Sequence, residues 1–354
     1  MSEIADKVKS EIKEFLGEHY VEPINIGFFP TPLSIENGMS KKIGSKILIK
    51  REDMVDVLGC GHKLRRMRYL LSGINRSEMD ALVTIGSVPS NQAKTVALFA
   101  RKLGLESHII IGGDKQTKPS NFSGNYLVTR LMADFIQWHE CTSWIKMKEI
   151  AQKYSEKLFE QGIANVLIES GASQNNGLIG SIELGIELKN QLDVEKENIN
   201  HIVICAGSGA SAVGLAMASQ LQKTPWIIHG ICIGETSKTV FNRSVDLMNI
   251  WNKKLGTEFN LEKVKFYDHA IGLGYDEPTD YEIETSEHIL RQYGMMFDLN
   301  YMTKTFIGMK TLLEQEIIPK DEKIVLVNSG GNIGFFDSHS RKISDKRTEY
   351  GGAL

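Results

Sequence analysis

Seven short runs rich in β-branched residues punctuate the chain, and they limit its possible folds more than any other feature. They are "KILIK" (46–50), "ALVTIG" (81–86), "SHIIIGG" (107–113), "NVLIES" (165–170), "HIVICAG" (201–207), "WIIHGICIG" (226–234) and "KIVLVNSGG" (323–331). Such continuous apolar runs read as strands buried on both faces. Between them lie helical stretches such as "NQAKTVALFARKLG" (91–104), stopped by Gly104, and "ASAVGLAMASQLQ" (210–222). The alternation predicts an α/β protein with mostly parallel sheets covered by helices. Ligands of such sheets bind where the strands end. The turns "SVPSNQ" (87–92), "AGSGAS" (206–211) and "NSGGN" (328–332) are therefore where chemistry is sought. No internal repeat or low-complexity linker marks a lobe boundary, and the polar tail "SHSRKISDKRTEYGGAL" (338–354) reads as a surface extension.

With 354 residues, 42% hydrophobic and 24% charged, the chain has material for two lobes. A net charge of −3 without any sustained Lys/Arg block gives no electrostatic footprint for nucleic acid or an anionic membrane, so a small molecule is the expected partner. The opening "MSEIADKVKSEIKEFLGEHY" sets Ile4, Val8, Ile12, Phe15 and Leu16 at helical spacing among charges, unlike the uncharged core of a signal peptide. A cytoplasmic location is expected. No uninterrupted apolar run is long enough to span a bilayer. Cys60, Cys141, Cys205 and Cys232 are far apart, with no C-x-x-C and no histidine at ligand spacing, so free thiols are expected, with neither disulfides nor a metal.

The segment "HIVICAGSGASAVGLAMA" (201–218) carries a strand through Gly207, Ser208, Gly209, Ala210 and Ser211 into a helix. Free N–H groups and a positive dipole end converge there, as in a phosphate cradle. Its glycines, at 207, 209 and 214, do not have the spacing of a dinucleotide fingerprint, and a single phosphate suits it better. A tight turn without a ligand is the plainer alternative. Ser87, Ser90, Asn91 and Gln92 crowd before another helix whose N-terminus can receive a carboxylate, although an N-cap needs only one of them. Ser329 and two glycines close the last strand, while Tyr275 and Tyr301 are uninformative alone. Lys63, in "LGCGHKLRRMRYLL" (58–71), is by itself a solvated charge. Beside a monophosphate cradle and hydroxyl-bearing strand ends it becomes a candidate Schiff-base amine. The combination calls for pyridoxal phosphate: an aldehyde for Lys63, a phosphate for residues 207–211 and a ring nitrogen for Ser329.

From "FPTPL" (29–33) nearly to 336, the sequence resembles the D-cysteine desulfhydrase and 1-aminocyclopropane-1-carboxylate (ACC) deaminase family, pyridoxal-phosphate enzymes of the tryptophan synthase β-subunit fold. The matching segments are "KRED" (50–53), "GCGHKLRR" (59–66), "PSNQ" (89–92), "GNYLVTRLMAD" (124–134) and the loop at 207–211. The resemblance implies fold type II, with a small lobe, 66–172, inserted in a large one made of 1–65 and 173–354, and a homodimer. It also implies that Lys63 carries the cofactor, that Ser90 is a carboxylate-binding or catalytic serine, and that Asn91 partners the cofactor's 3-hydroxyl.

The departures bear on specificity. In "DLNYMTK" (298–304) Tyr301 is kept, but Met302 stands where ACC deaminases have a glutamate facing the ring nitrogen, and Ser329 stands where they are apolar. A hydroxyl leaves that nitrogen neutral, which suits β-elimination better than cyclopropane opening. His62 replaces the usual asparagine, and Ala210 departs from the usual phosphate loop. The expected activity is α,β-elimination on a small β-substituted amino acid, D-cysteine desulfhydrase-like. Its carboxylate would be held by Ser90, Asn91 and Gln92, its α-proton moved by Lys63, and its side chain framed by Tyr275 and Tyr301, either of which would be placed to assist the leaving group. A β-replacement synthase, ACC deaminase and a non-catalytic cofactor-binding homologue are the alternatives.

Overall fold

The computed structural model describes residues 2–115, 118 and 122–337, so the tail at 338–354 lies outside the described residues. Its strands are β1 (Leu33–Ile35), β2 (Ile47–Arg51), β3 (Ala81–Gly86), β4 (Glu106–Gly113), β5 (Phe135–Glu140), β6 (Asn165–Ile168), β7 (His201–Ala206), β8 (Ile227–Cys232), β9 (Val264–Tyr267) and β10 (Ile324–Asn328). Its helices are α1 (Ser2–Leu16), α2 (Asn37–Ile43), α3 (His62–Leu70), α4 (Asn91–Leu103), α5 (Gly124–Met132), α6 (Trp144–Glu160), α7 (Gly177–Val194), α8 (Ala210–Leu221), α9 (Ser237–Leu255), α10 (Asp280–Tyr293) and α11 (Met302–Glu314). All seven expected runs form strands. The sequence pattern missed β1 and β9, which have only three and four residues, and β5, an edge strand with no buried residue.

One sheet has the order β1-β2-β10-β7-β8-β9, the other β5-β4-β3-β6, and every pairing is parallel except β1 with β2. Both are covered on two faces, as their continuous apolar runs require. Val8, Ile12 and Leu16 of α1 join α7 and α8 on one face of the six-stranded sheet, and Phe306, Met309 and Leu312 of α11 pack on the other. Around the four-stranded sheet, α3 and α4 share one cluster and α6 another. The β2–β10 register sets Asn328 beside Arg51, so the turns leading to Lys63 and Ser329 leave the sheet at the same edge.

What fixes α3 is a buried ion cluster. Arg65 donates from Nε and Nη2 to Glu52 (2.8 and 2.7 Å) and from Nη1 to Glu183 and Glu187 (2.9 Å each). Lys50 Nζ bonds Glu187 as well, and donates to Gln191 Oε1 and the Thr31 carbonyl at 2.7 Å each. With Arg68 Nη1 3.6 Å from Glu183, three cations face three carboxylates, so the buried charge closes to zero. "KRED" is therefore the floor of this cluster: Lys50 and Glu52 enter it, while Arg51 and Asp53 pair beside it. Helix α7 can come this close because Gly180 lacks a Cβ, which would sit 2.6 Å from the Arg65 carbonyl oxygen.

Removing one partner leaves a buried charge uncompensated, so Glu187→Leu should cost about 3–5 kcal/mol in denaturant unfolding. Burial would raise the Glu187 carboxyl, but Arg65 and Lys50 outweigh it and hold it well below the usual range. Its contribution should therefore be full above the ordinary carboxylate range and disappear only as pH falls through the lowered value, which the wild-type minus variant difference in unfolding free energy will trace.

Candidate functional site

The last β10 turn joins the other two. Gly61, the N-cap of α3, has φ +64°, and a Cβ there would lie 1.9 Å from the Ser329 carbonyl oxygen, which accepts the His62 N–H at 3.2 Å. A Cβ at Gly331 would lie 2.7 Å from Asn91 Nδ2. Lys63 thus begins its helix beside Ser329, with Asn91 across the same turn. Its amine makes no hydrogen bond among the described residues, and burial, followed by the charge of Arg66, pushes its pKa down to about 7. At neutral pH a large share of Lys63 is free amine, the form that attacks an aldehyde.

Residues 207–211 lead into α8, with Gly209 as its N-cap at φ +83°. Arg66 approaches from below, and its role was not read from the sequence. Its Nε donates to Ser181 Oγ at 2.9 Å, its Nη1 to the Gly171 carbonyl at 2.6 Å, and its Nη2 to Ser211 Oγ. None of these partners is anionic, and burial pushes its pKa down to about 10. A buried guanidinium with neutral partners, facing a helix N-terminus, leaves positive potential for an anion. The signal was the second arginine of "HKLRR", since the first is spent on glutamates. His62 Nε2 lies 3.4 Å from Ser211 Oγ. The Ser211 hydroxyl, with one hydrogen and two lone pairs, can serve Arg66 and either tautomer of His62. Burial, then Arg66, holds His62 well below the ordinary range, so the ring is neutral.

Ser90 is the N-cap of α4, its Oγ accepting the Ala93 N–H at 3.2 Å, and its own hydrogen remains available to donate. Asn91 accepts from Asn125 Nδ2 at 2.9 Å. Gln92 departs from the expected carboxylate role: Nε2 donates to Thr84 Oγ1 (3.0 Å) and the Glu169 carbonyl (2.8 Å), while Oε1 accepts the Gly171 N–H (2.7 Å). Its side chain braces the turn. A carboxylate there would find Ser90 and the opening N–H groups of α4.

Tyr275 and Tyr301, 26 residues apart, are hydrogen-bonded through their hydroxyls with rings edge to face. Burial, first of all, raises both phenols, so both are protonated. Asp298 seats Tyr301: its carboxylate accepts the N–H groups of Asn300, Tyr301 and Met302 at 2.9–3.0 Å, and burial raises its pKa to about 6. Ser329 donates from N and Oγ toward Met302 Sδ at 3.3 and 3.5 Å. Cys60 and Cys205 are buried free thiols with pKa pushed up to about 12 by burial. Among the described residues no cluster could hold a metal, and no helix is long and apolar enough to cross a membrane.

An unpaired amine at pKa about 7, a cationic cradle for one phosphate, and Ser329 and Asn91 brought together by close-packed glycine turns fit one group, pyridoxal phosphate. Fold and site together define a cofactor-dependent α/β enzyme. Residues 24–330 match the model of the family "Pyridoxal-phosphate dependent enzyme", and the chain belongs to it, with pyridoxal 5'-phosphate as its cofactor. A Pyrococcus furiosus protein named "Putative 1-aminocyclopropane-1-carboxylate deaminase" is 26% identical over 306 residues, 86% of this chain and 91% of that one. A Thermotoga maritima protein of the same name is 24% identical over 90% of this chain and 99% of its own length. The crystal structure of an ACC deaminase homologue superposes with a TM-score of 0.84 at 25% identity, covering 94% of this chain and 98% of that one. Escherichia coli diaminopropionate ammonia lyase shares the fold, with a TM-score of 0.64 at 16% identity, covering 95% of this chain and 91% of that one.

Because only the free amine attacks the aldehyde, capture of pyridoxal phosphate by cofactor-free protein should accelerate through pH about 7 and level off above it. Stopped-flow absorbance will show this. A rate still rising toward pH 10, the behaviour of an ordinary lysine, would contradict the geometry.

Proposed function

We propose that this enzyme is a lyase that eliminates the β-substituent of a small amino acid, in the manner of D-cysteine desulfhydrase, releasing pyruvate, ammonia and a leaving group such as sulfide. The observation that carries the reading is the Ser329–Met302 pair, two buried groups without a charge that meet at 3.5 Å. A ring nitrogen set against them stays neutral, whereas a carboxylate would protonate it and deepen the electron sink. Elimination of a thiolate proceeds without that protonation, but cyclopropane opening asks for more. ACC deaminase is the second reading, favoured by the names of the relatives.

When bound, the cofactor supplies an aldehyde for an amino group and a conjugated ring that withdraws electrons from the α-carbon. Lys63 would hold it, Arg66, Ser211 and the backbone of 207–210 would receive its phosphate, and Asn91 would face its 3-oxygen. Lys63 Nζ takes the α-proton, with a pKa suited to a base at neutral pH. Ser90 and the first N–H groups of α4 orient the carboxylate. The Tyr275–Tyr301 pair is a neutral hydroxyl donor beside the departing group. The same reading makes the protein a cytoplasmic homodimer with lobes divided at 65/66 and 172/173.

The deciding assay follows the visible spectrum and keto-acid release with D- and L-cysteine, L-cysteate, D-serine and ACC. Elimination predicts pyruvate from one β-substituted substrate and none after Lys63→Ala. Release of 2-oxobutyrate from ACC would establish the second reading. Diversion of pyruvate into a new amino acid by added thiol would make the enzyme a synthase, and a spectral shift without turnover on any substrate would make it a binding protein. Met302→Glu should retain the cofactor and raise the pH at which its ring nitrogen loses a proton, observable by ¹⁵N NMR of labelled cofactor.

A further inference from the structure

Lys94 is fully buried in the first turn of α4 yet has no carboxylate within ion-pair distance among the described residues. Its Nζ donates to Asn125 Oδ1 at 2.7 Å and to the Gly59 carbonyl at 3.2 Å. Asn125, also buried, donates from Nδ2 to the Pro89 carbonyl (3.0 Å) and to Asn91 Oδ1 (2.9 Å). Asp56, Asp298 and Asp337 lie farther out and favour the lysine's charge, against the burial that lowers its pKa.

These bonds have only one consistent direction. An ammonium group has no lone pair, so Asn125 must turn its oxygen to Lys94. Its amide hydrogens then point to Pro89 and Asn91, and Asn91 must accept with Oδ1. Asn91 Nδ2 is left over, next to Gly331 and with no partner among the described residues. The far end of the chain is a hydrogen-bond donor.

We infer that Lys94 and Asn125 are positioning residues that compel Asn91 to present an N–H, never an oxygen, to the cofactor's 3-oxygen, so that this oxygen is bound as the anion. The inference rests on the proposed placement of Asn91 and deepens it. A donor stabilises a phenolate more than a phenol, because the hydrogen bond to the anion is charge-assisted and stronger. The cofactor would then carry its negative charge at the Asn91 side of the ring and none of the compensating proton at the Ser329 side.

The test is the absorbance of the reconstituted holoenzyme at pH 7.5, where the yellow band reports the ionised 3-oxygen and the near-ultraviolet band the protonated one. The wild type should be dominated by the yellow band. Asn125→Asp keeps an acceptor for Lys94 but cannot donate, so Asn91 turns its Nδ2 toward it and offers Oδ1 to the ring. The ratio of yellow to near-ultraviolet absorbance should fall about tenfold, the worth of one hydrogen bond to a charged group. Lys94→Met removes one of the two groups that orient Asn125 and leaves the Pro89 carbonyl, an acceptor only, so it should give a smaller fall in the same direction. A wild-type holoenzyme dominated by the near-ultraviolet band overturns the inference whatever the variants do. So does an unchanged ratio in either variant, even if less cofactor is bound, since that is what a merely structural role would give. A wild type that cannot bind pyridoxal phosphate at all would instead defeat the cofactor placement.

Discussion

Arg65 stands where β2, α3 and α7 meet, and it fixes the start of α3, which carries Lys63 and Arg66. Three glutamates from two elements share its guanidinium, and Lys50 and Arg68 complete the balance of charge. A cluster of this kind is weak as a source of net stability but strict as a specifier of geometry, because any displacement leaves an ion buried without a partner. Lys63 lies two residues before Arg65 and Arg66 one residue after it. Helical geometry turns these three side chains in different directions, so anchoring one aims the other two.

Around that anchor the site separates charge by place. Arg66 and the opening of α8 leave positive potential unmatched, at the proposed place of the phosphate. Lys63, in the middle, is poised between its charged and neutral forms. At Met302 and Ser329 there is no charge at all. A chain with a glutamate at 302 would have the same fold and a different electron sink. On the proposed reading one side chain at the start of α11 sets the reaction type, and Tyr301 next to it is seated by the same Asp298 carboxylate.

Much of this was legible in the chain. The strands announced themselves because both their faces are buried, which removes the alternation that makes edge strands such as β5 hard to see. Lys63, Ser90, Asn91, residues 207–211 and Ser329 could be picked out as candidates because each follows a strand or a glycine turn, whereas Tyr301 came only from the resemblance. Arg66, Lys94 and Asn125 could not. A buried arginine is written with the same letter as a solvated one, and here Arg65 and Arg66 are adjacent with opposite duties. Gln92 misled for the matching reason: in a polar turn, a side chain that braces the loop looks like one that greets a ligand.

The sequence by itself determined the α/β class, the order of the strands' glycine-rich ends and most of the candidate groups for pyridoxal phosphate, since these depend on local pattern and on residue type. Only the tertiary structure decided which of those groups act together and in what state. Burial shifts Lys63 to about pH 7, contact between segments 26 residues apart couples Tyr275 to Tyr301, and a lysine with no lone pair fixes the direction of two amides. Desolvation and hydrogen-bond direction depend on what surrounds an atom in space, and neighbours in space are what a linear order of residues leaves open.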